Sequence, residues 1–379
     1  MVSQSTRVTR PLRIAYVVHD YNRHLGHSRY VAELATRYKR DHEVHVYANT
    51  FDEPDPHRLT FHRVPAWRRF ASSSSLSFIL PATLRVRGDY NIVHAQGLCG
   101  LRHNIATAHF CVPAWYRALA QANGRLTWKQ WLVSSLVTPW ERRALCRRGT
   151  QRVIAISQRM RDDLATYYRR ADGVRVIYHG VDLETFHPRN RARYRDEVRA
   201  ALGLAPDSCL ALFVGNLQKG AAAAIRAVAR VPGVWLLLVS ASDPTGERAV
   251  AQMEQVADRV IFEKHSKQVE RYYAAADLFV FPTLYEPYGM VITEAMATGL
   301  PVVTPRSAGA AELITHGFSG WLTNAPWEVD EIAAGLRALA ADSSRRAEMG
   351  AAARTSVEAF TWDRVADETM AVYREIIDA

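Results

Sequence analysis

Short apolar runs alternate with helix-length amphipathic stretches along most of this 379-residue chain. In the first half the apolar runs lie at 12–18, 44–48, 92–95, 105–109, 153–156 and 174–178. In the second half they lie at 210–214, 235–239, 260–262, 278–281 and 302–304. Such spacing is typical of buried parallel strands joined by crossover helices. The pattern therefore predicts an α/β fold with two successive doubly wound, Rossmann-like units.

Segment 282–312 combines a polar loop with a helix start that suits an anion. Gly289 precedes a predicted helix that ends at Gly299, where a glycine and then a proline stop it. The first N–H groups of a helix have no internal partner and favour negative charge, and a glycine lets a phosphate come close. We expect a phosphate on the backbone of Gly289, Met290 and Val291.

Two glutamates, Glu286 and Glu294, flank this anion site. A carboxylate accepts hydrogen bonds from two hydroxyl groups, so it suits a hexose or a ribose diol. A diphosphate with a sugar on each side describes a nucleotide-sugar. The alternative is an ordinary strand–loop–helix unit that carries two solvated glutamates.

The spacing Glu286-x7-Glu294, followed by Gly-Leu-Pro-Val-Val and Gly309-x2-Glu312, resembles a known family. The family that it resembles is the retaining glycosyltransferases of the GT-B fold, known as glycosyltransferase group 1 or family 4. In that family the first glutamate contacts the donor hexose, the following N–H groups hold the diphosphate, and the second glutamate binds the ribose. The resemblance implies these roles for Glu286, for the backbone of residues 289–291, and for Glu294.

The same resemblance implies two Rossmann-like domains that face each other across a cleft. Residues 1–186 form the acceptor domain, together with a crossing helix at 362–379, and residues 187–361 form the donor domain. Segment 176–188 resembles the family's inter-domain segment, although His179 stands where an asparagine is usual.

Segment 212–220 resembles the first strand and loop of the family's donor domain. That loop usually carries an arginine directly after its glycine and a lysine a few residues later, and both cations neutralise the donor diphosphate. Here Asn216 stands in place of the arginine, whereas Lys219 matches the lysine. The resemblance therefore implies a catalytic role for Lys219 and a second cation that is missing or comes from elsewhere. The alternative for Lys219 is an ordinary surface lysine.

Two residues of the first half match further site positions of the family. His109 ends a predicted strand, where relatives carry a histidine that contacts the donor sugar; the alternative is a hydrogen-bonded core histidine. Gly26 lies in the loop before the helix predicted from Ser28, where relatives have a glycine pair that admits phosphate or acceptor. We expect His109 to assist catalysis and Gly26 to line the donor site.

The positive charge of the chain is concentrated in its first half. The whole chain has a net charge of +10, whereas residues 1–186 carry 28 Lys and Arg against 14 Asp and Glu. A basic half indicates an acidic partner: anionic lipid, a phosphorylated glycan or nucleic acid. Nucleic acid is the weakest of these, since no recognised binding module is present.

Segment 112–149 interleaves tryptophans and a tyrosine with arginines and a lysine. This mixture favours a membrane-interface helix or a surface on which sugar rings stack, and the alternative is a core helix with solvated arginines. Segment 65–87 is predicted to be a mobile loop near the acceptor.

No apolar run approaches the roughly 20 residues that a spanning helix needs. The start of the chain is interpreted as a first buried strand rather than a signal peptide. The four cysteines lack metal or redox spacing, which favours a reducing cytosol. We therefore expect a cytoplasmic protein that docks peripherally on the inner face of a membrane.

The resemblance implies a retaining, metal-independent hexosyltransferase. It moves a hexose from a UDP-sugar to a glycan or lipid-linked acceptor in cell-envelope polysaccharide or lipopolysaccharide synthesis. The nucleotide-sugar is a co-substrate, and the resemblance implies no metal or other cofactor. The alternatives are a nucleotide-sugar-binding protein with weak or no transfer, and a GT-B enzyme of another class such as a nucleotide-sugar epimerase.

Overall fold

The computed structural model describes residues 10–23, 26–52, 59–67 and 71–379. Its strands are β1 (Arg13–Val17), β2 (Asp20–Tyr21), β3 (Glu43–Ala48), β4 (Thr50–Phe51), β5 (Leu59–Arg63), β6 (Ile92–Gln96), β7 (Ile105–Ala108), β8 (Arg152–Ala155), β9 (Val174–Val176), β10 (Cys209–Val214), β11 (Val234–Ser240), β12 (Val260–Lys264), β13 (Leu278–Val280), β14 (Val302–Pro305) and β15 (Trp321–Thr323). Its α-helices are α1 (Gly26–Tyr38), α2 (Ala71–Arg85), α3 (Val112–Asn123), α4 (Trp128–Cys146), α5 (Gln158–Tyr168), α6 (Asn190–Ala201), α7 (Ala221–Ala229), α8 (Thr245–Met253), α9 (Glu270–Ala275), α10 (Met290–Ala297), α11 (Val329–Ala341), α12 (Ser343–Val357) and α13 (Trp362–Ile377).

Thirteen of these strands form two parallel sheets. The first has the order β5-β3-β1-β6-β7-β8-β9 and the second the order β12-β11-β10-β13-β14-β15, while β2 and β4 form a separate pair. Each large sheet grows in both directions from its first strand, so the switch points lie between β1 and β6 and between β10 and β13. Ligands of such sheets bind beyond the carboxyl ends of the strands at these points. The predicted α/β fold with two doubly wound units is confirmed.

The apolar runs form strands because helices cover both faces of each sheet. In β10 the side chains of residues 210–213 are all fully buried, and Ala211 pairs with Leu236 of β11 and with Leu278 of β13. Parallel strands that are buried on both faces need continuous apolar runs rather than alternating ones. This requirement explains why these central strands were predictable.

Several elements differ from their predictions. The loop predicted at 65–87 is wrong, since α2 occupies most of it, although 68–70 lie outside the described residues. Segment 112–149 holds two helices, which are separated at Gly124, a left-handed residue with φ of +75°.

The last helix, α13, returns to the first sheet. Its Val365 and Tyr373 share a buried cluster with Ile14 of β1, and Tyr38 of α1 donates a hydrogen bond to the carbonyl oxygen of Ala366 at 2.6 Å. After the second sheet, the chain therefore crosses back to pack on the first half. The domain limits 1–186 and 187–361, with the crossing helix at 362–379, stay a prediction.

Asp277 lies directly before β13 and ties this strand to α6. Its carboxylate accepts hydrogen bonds from Arg191 at 3.0 Å, Arg195 at 2.8 Å and Arg199 at 3.2 Å, and from the Leu210 N–H at 2.9 Å. Desolvation acts to raise the pKa of Asp277, but the Leu210 N–H and the arginines outweigh it, so the pKa lies below its ordinary value. One buried carboxylate thus fixes the start of the strand that leads to the site.

Replacing this carboxylate should destabilise the fold. Asp277→Asn leaves three guanidinium groups without their shared negative partner, which we expect to cost about 3–5 kcal/mol of unfolding free energy. Urea unfolding measures the change. The exposed Asp258→Asn variant is the control, with an expected change within about 0.5 kcal/mol. An unchanged unfolding midpoint for Asp277→Asn would contradict this role.

Candidate active site

The candidate site lies at the switch point of the second sheet, where β10 and β13 end. The loop after β10 passes so close to the loop after β13 that a Cβ on Gly220 would lie 2.1 Å from the Pro282 carbonyl oxygen. Gly220 also has φ of +104°, so this position requires glycine. The close approach places Lys219 beside the loop that carries Glu286.

Lys219 and Glu286 form an ion pair in this structure. The Lys219 ammonium donates a hydrogen bond to Glu286 Oε2 at 2.6 Å. The Glu286 side chain is 12% exposed and the Lys219 side chain 42% exposed. The two predicted catalytic residues of the second half are therefore brought together. Each neutralises the other, so an anionic ligand has to compete with Glu286 for Lys219.

The loop that carries Glu286 is held by Gly309. The Gly309 N–H donates to the Glu286 carbonyl oxygen at 2.9 Å, and the Ala310 N–H donates to the Tyr288 carbonyl oxygen at 2.7 Å. A Cβ on Gly309 would lie 2.0 Å from the Pro287 carbonyl oxygen. The spacing between Glu286 and Gly309 thus has a steric cause, since only glycine permits this approach.

The N-terminus of α10 begins at the end of the same loop. Gly289 has φ of +100°, and a Cβ there would lie 2.9 Å from Ile292 Cδ1. The N–H groups of Met290 and Val291 belong to the first turn, in which an α-helix supplies no internal acceptor. Both residues are half-buried rather than covered. The structure thus has the helix start that was predicted, and its role as an anion site stays a prediction.

Glu294 is buried and already has partners on both carboxylate oxygens. Arg29 donates to Oε1 at 2.9 Å, and the Tyr273 hydroxyl donates to Oε2 at 3.1 Å. Burial raises the pKa of Glu294 above its ordinary value, and Arg29 and Tyr273 oppose that rise. Each carboxylate oxygen keeps a second lone pair. The ribose role predicted for Glu294 thus requires that a ribose shares or displaces these donors.

Sequence reasoning missed Arg29, which lies in the first turn of α1 and belongs to the first half of the chain. Its partner Glu294 is 265 residues away, so no local pattern connects the two. Its position along the chain could have indicated it, because Arg29 lies three residues after Gly26, in the segment expected to line the donor site.

Asn216 caps the turn that carries Lys219. Its side-chain oxygen accepts a hydrogen bond from the Gln218 N–H at 2.9 Å, and its carbonyl oxygen accepts from the Lys219 N–H at 2.9 Å. Capping by a short polar side chain is a common way to satisfy the free N–H groups of a helical turn. Asn216 thus orders the loop and adds no positive charge to it.

His109 directly follows β7, as predicted. Its Nε2 lies 2.8 Å from Gln96 Oε1, and its ring centre lies 5.3 Å from that of Tyr30 and 5.4 Å from that of His179. Burial, reinforced by His179 and His27, lowers the pKa of His109 well below its ordinary value. The imidazole is therefore neutral at neutral pH. With the Gln96 oxygen as acceptor, Nε2 carries the proton.

Gly26 is the first residue of α1 rather than part of the preceding loop. It is exposed, and a Cβ at this position would meet no atom within 4 Å. Nothing in the described surroundings therefore requires a glycine here. Ser28, from which the helix was predicted to start, is the third helical residue, and its hydroxyl donates to the Asp20 carbonyl oxygen at 2.6 Å.

Glu312 connects the two halves by capping α5. Its carboxylate accepts hydrogen bonds from the N–H groups of Gln158 at 2.9 Å and Arg159 at 2.8 Å, and from the Tyr178 hydroxyl at 2.8 Å. A carboxylate at a helix N-terminus is stabilised by the free N–H groups and the helix dipole. This motif residue therefore holds the two halves of the chain together.

The tyrosines of the loop after β13 also contact the first half. The Tyr285 hydroxyl donates to Asp163 at 3.0 Å, and the Tyr288 hydroxyl donates to the His179 carbonyl oxygen at 2.9 Å. The Tyr285 ring centre lies 5.4 Å from that of Phe110, the residue after His109. The loop that holds Glu286 thus meets the strand end that holds His109.

Two family models match the chain, one on each half. The model described as Glycosyltransferase Family 4 matches residues 26–185, and the model described as Glycosyl transferases group 1 matches residues 194–356. The two matches fall on the two sheets in turn. The chain belongs to the group 1, family 4 glycosyltransferases.

Individual relatives are distant. The D-inositol 3-phosphate glycosyltransferase of Mycobacterium marinum is 33% identical over 222 residues, which are 55% of this chain and 47% of that protein. The chain thus spans about half the length of that relative.

Two solved structures share the fold over nearly their whole length. WaaG, a glycosyltransferase involved in lipopolysaccharide biosynthesis, superposes with a TM-score of 0.78 at 21% identity, covering 94% of this chain and 99% of WaaG. Anabaena Alr3699/HepE in complex with UDP and glucose superposes with a TM-score of 0.74 at 21% identity, covering 96% of this chain and 100% of that one. These likenesses show that the fold is GT-B.

The buried histidines should make the protein sensitive to acid. Burial lowers the pKa of His94 and of His179 to about 3 and that of His103 to about 4, and it also lowers the pKa of His109. Below pH ~6.5 the unfolded chain therefore binds more protons than the native one. The free energy of unfolding thus decreases as the pH is lowered. Glu141, whose pKa burial raises to about 7, offsets part of this slope.

A single variant isolates one histidine. Urea unfolding at pH 6.5, 6 and 5 should show that His94→Gln loses stability less steeply than the parent protein, by a difference in slope that approaches about 1.4 kcal/mol per pH unit at pH 5. Equal slopes for the two proteins would show that His94 is protonated in the native state.

Proposed function

We propose that this member of the family is a retaining glycosyltransferase that moves a hexose from a UDP-sugar to a glycan or lipid-linked acceptor. The supporting observation is that the ends of β10 and β13 bring Lys219, Glu286 and the N-terminus of α10 to one place. A cation, a carboxylate and a helix N-terminus suit a sugar diphosphate. The UDP and glucose named for the HepE complex support this donor class.

In the proposed reaction the donor diphosphate lies on the N–H groups of Met290 and Val291 and against Lys219. These groups stabilise the negative charge that develops on the leaving diphosphate. Glu286 accepts hydrogen bonds from the hexose. Neutral His109, which belongs to the other half of the chain, forms a hydrogen bond with the same hexose.

The acceptor hydroxyl attacks the anomeric carbon of the hexose on the same face from which the diphosphate departs. The configuration at the anomeric carbon is therefore retained. The bond between the anomeric carbon and the diphosphate oxygen breaks as the bond to the acceptor oxygen forms. The acceptor's proton passes to the leaving diphosphate. The proposal requires no enzymic nucleophile and no metal or other cofactor.

A second candidate is a nucleotide-sugar-binding protein with weak or no transfer. The observation that favours it is the loop after β10, where Asn216 caps a turn instead of supplying a cation. Slow release of UDP from a UDP-sugar without any acceptor distinguishes the two candidates, because catalysis of hydrolysis requires leaving-group stabilisation and binding alone does not.

The acceptor side of the proposal depends on α4. Four apolar residues spaced four apart form an exposed stripe along this helix: Trp128, Leu132, Leu136 and Trp140. Trp131, which is 62% exposed, lies beside the stripe. Residues four apart share one helix face, so the apolar face of α4 points to solvent. This stripe is therefore not part of the core, whereas Ala144 and Leu145 at the end of α4 are buried.

Basic residues continue from this stripe. Arg142 and Arg143 are exposed at the end of α4, and Arg148 is exposed just beyond it. Tryptophans beside arginines suit an anionic bilayer, where rings enter the headgroup layer and cations remain at the phosphates. Among the described residues, no helix is long and apolar enough to cross a bilayer. We propose that these exposed tryptophans and arginines dock the protein on the cytoplasmic face of a membrane, where it acts in cell-envelope polysaccharide or lipopolysaccharide synthesis.

A ligand screen tests the donor part directly. UDP at 100 times its dissociation constant should stabilise the protein by about 2.7 kcal/mol, which raises the thermal midpoint. GDP and ADP should have smaller effects. If none of the three nucleotides shifts the midpoint, the donor assignment is wrong.

Two variants of the ion pair should change UDP affinity differently. Lys219→Ala should weaken UDP binding by about 10- to 150-fold, since a charge-assisted hydrogen bond is lost. Glu286→Gln should keep or raise UDP affinity, because it releases Lys219, while the rate of hexose transfer falls. Calorimetry and a transfer assay measure the two effects, with exposed Lys264→Ala as the control. Equal losses of UDP affinity in both variants would show that the roles assigned to Lys219 and Glu286 are wrong.

Vesicle flotation tests the membrane part. Binding to anionic vesicles should exceed binding to neutral ones and fall as salt rises, because the attraction decays within a Debye length. Replacing Trp128, Trp131 and Trp140 by serine should reduce binding and leave UDP affinity unchanged. Trp327→Ser, which removes a 45% exposed tryptophan of the second half, is the control. If the protein binds anionic and neutral vesicles equally, the membrane proposal is wrong. A soluble phosphorylated acceptor would then explain the positive charge of residues 1–186.

A further inference from the structure

The loop after β10 supplies Lys219 to the site, and the capping role of Asn216 leaves the neighbouring position without positive charge. A bound UDP carries a diphosphate with about two negative charges or more. A partly buried site needs cations to compensate such a group. A second cation is therefore needed at the same place.

Arg29 lies there, although it comes from the other half of the chain. Its Nη1 is 2.9 Å from Glu294 Oε1 of α10, and its Nε is 3.8 Å from Glu33 Oε1. Its side chain is 15% exposed. Within the described ranges it makes one hydrogen bond, to Glu294, whereas a guanidinium has five N–H donors. Donors therefore remain for a further acceptor.

The position of Glu294 places Arg29 close to the expected diphosphate. Helical side chains lean toward the N-terminus of their helix, so the Glu294 carboxylate lies over the first turn of α10. That turn carries the free N–H groups of Met290 and Val291. In UDP one CH2 group joins the ribose to the diphosphate, so a ribose at Glu294 brings its diphosphate next to Arg29.

We infer that Arg29 is the second phosphate-binding cation of this site, in the place that Asn216 leaves uncharged. When the donor binds, the ribose hydroxyls donate to Glu294, and the guanidinium of Arg29 turns to the diphosphate. A guanidinium binds two phosphate oxygens at once, which suits it to this group. The inference rests on the proposed nucleotide-sugar site.

The exchange also explains why both glutamates have cationic partners in this structure. Lys219 pairs with Glu286 and Arg29 pairs with Glu294, so the four charges cancel. These pairs avoid an uncompensated buried carboxylate while no donor is bound. Because Arg29 and α10 belong to opposite halves, the diphosphate then connects the two halves.

The ratio of UDP to uridine affinity tests this inference. Uridine keeps the ribose that Glu294 binds and lacks the diphosphate. Arg29→Gln should weaken UDP binding at least about 10-fold while uridine affinity changes little, so the ratio falls. Arg29→Lys retains a positive charge and should keep most of the ratio. Calorimetry gives the UDP affinity, and competition against UDP gives the uridine affinity.

Arg37→Gln is the matched control, because Arg37 lies on the same helix and pairs with Glu33 and Asp363 instead. It should leave the ratio unchanged. Equal weakening of UDP and uridine by Arg29→Gln would overturn the inference, since Arg29 would then act only through Glu294. Unchanged UDP affinity would also overturn it and leave the proposed function intact. If the parent protein binds no UDP, both the proposed function and the inference are wrong.

Discussion

The ion pair between Arg29 and Glu294 is the interaction on which the arrangement of the cleft depends. A carboxylate buried on α10 costs several kcal/mol unless a cation and hydrogen-bond donors compensate it. Tyr273 supplies one donor from the same half, but the cation comes from α1 of the other half. Burial of Glu294 therefore requires α1 and α10 to face each other, which brings Arg29 to the candidate site.

Contacts of the loop after β13 reinforce this arrangement. The Tyr285 and Tyr288 hydroxyls bond to the first half, and Glu312 caps α5 across the boundary. The Ser157 hydroxyl, fully buried, donates to the Pro287 carbonyl oxygen at 2.6 Å. A polar interface of this kind holds a defined orientation and uses bonds that water can replace. The two halves are thus joined by the same loop that carries Glu286.

The sequence predicted the parts of the fold that follow from local chemistry. Central strands such as β10 were predictable because burial on both faces requires a continuous apolar run. The start of α10 at Gly289 followed from helix-start chemistry. The edge strand β5 was missed because polar residues interrupt it and most of its side chains are not fully buried, so it forms no continuous apolar run. The strand β15 was missed because it has only two apolar residues, and α2 was missed because its serine-rich start is typical of loops.

The site was predictable only within single segments. Glu286, Gly289 and Glu294 share one loop and helix, so spacing alone related them. Arg29 was not predictable from spacing, because the fold brings it to Glu294 from 265 residues away. Asn216 was interpreted as a lost cation, whereas its cap becomes visible only when the turn at Leu217–Lys219 is known. Pairings between distant segments depend on packing that no local pattern contains.

A crystal structure of the protein with UDP tests the central claim most directly, which is that one nucleotide diphosphate binds between the two helix N-termini. The account predicts ribose hydroxyls within hydrogen-bond distance of Glu294, and the diphosphate on the N–H groups of Met290 and Val291. It also predicts that Arg29 and Lys219 have left the glutamates for the phosphate oxygens. UDP bound elsewhere, or bound here with both ion pairs intact, would contradict it.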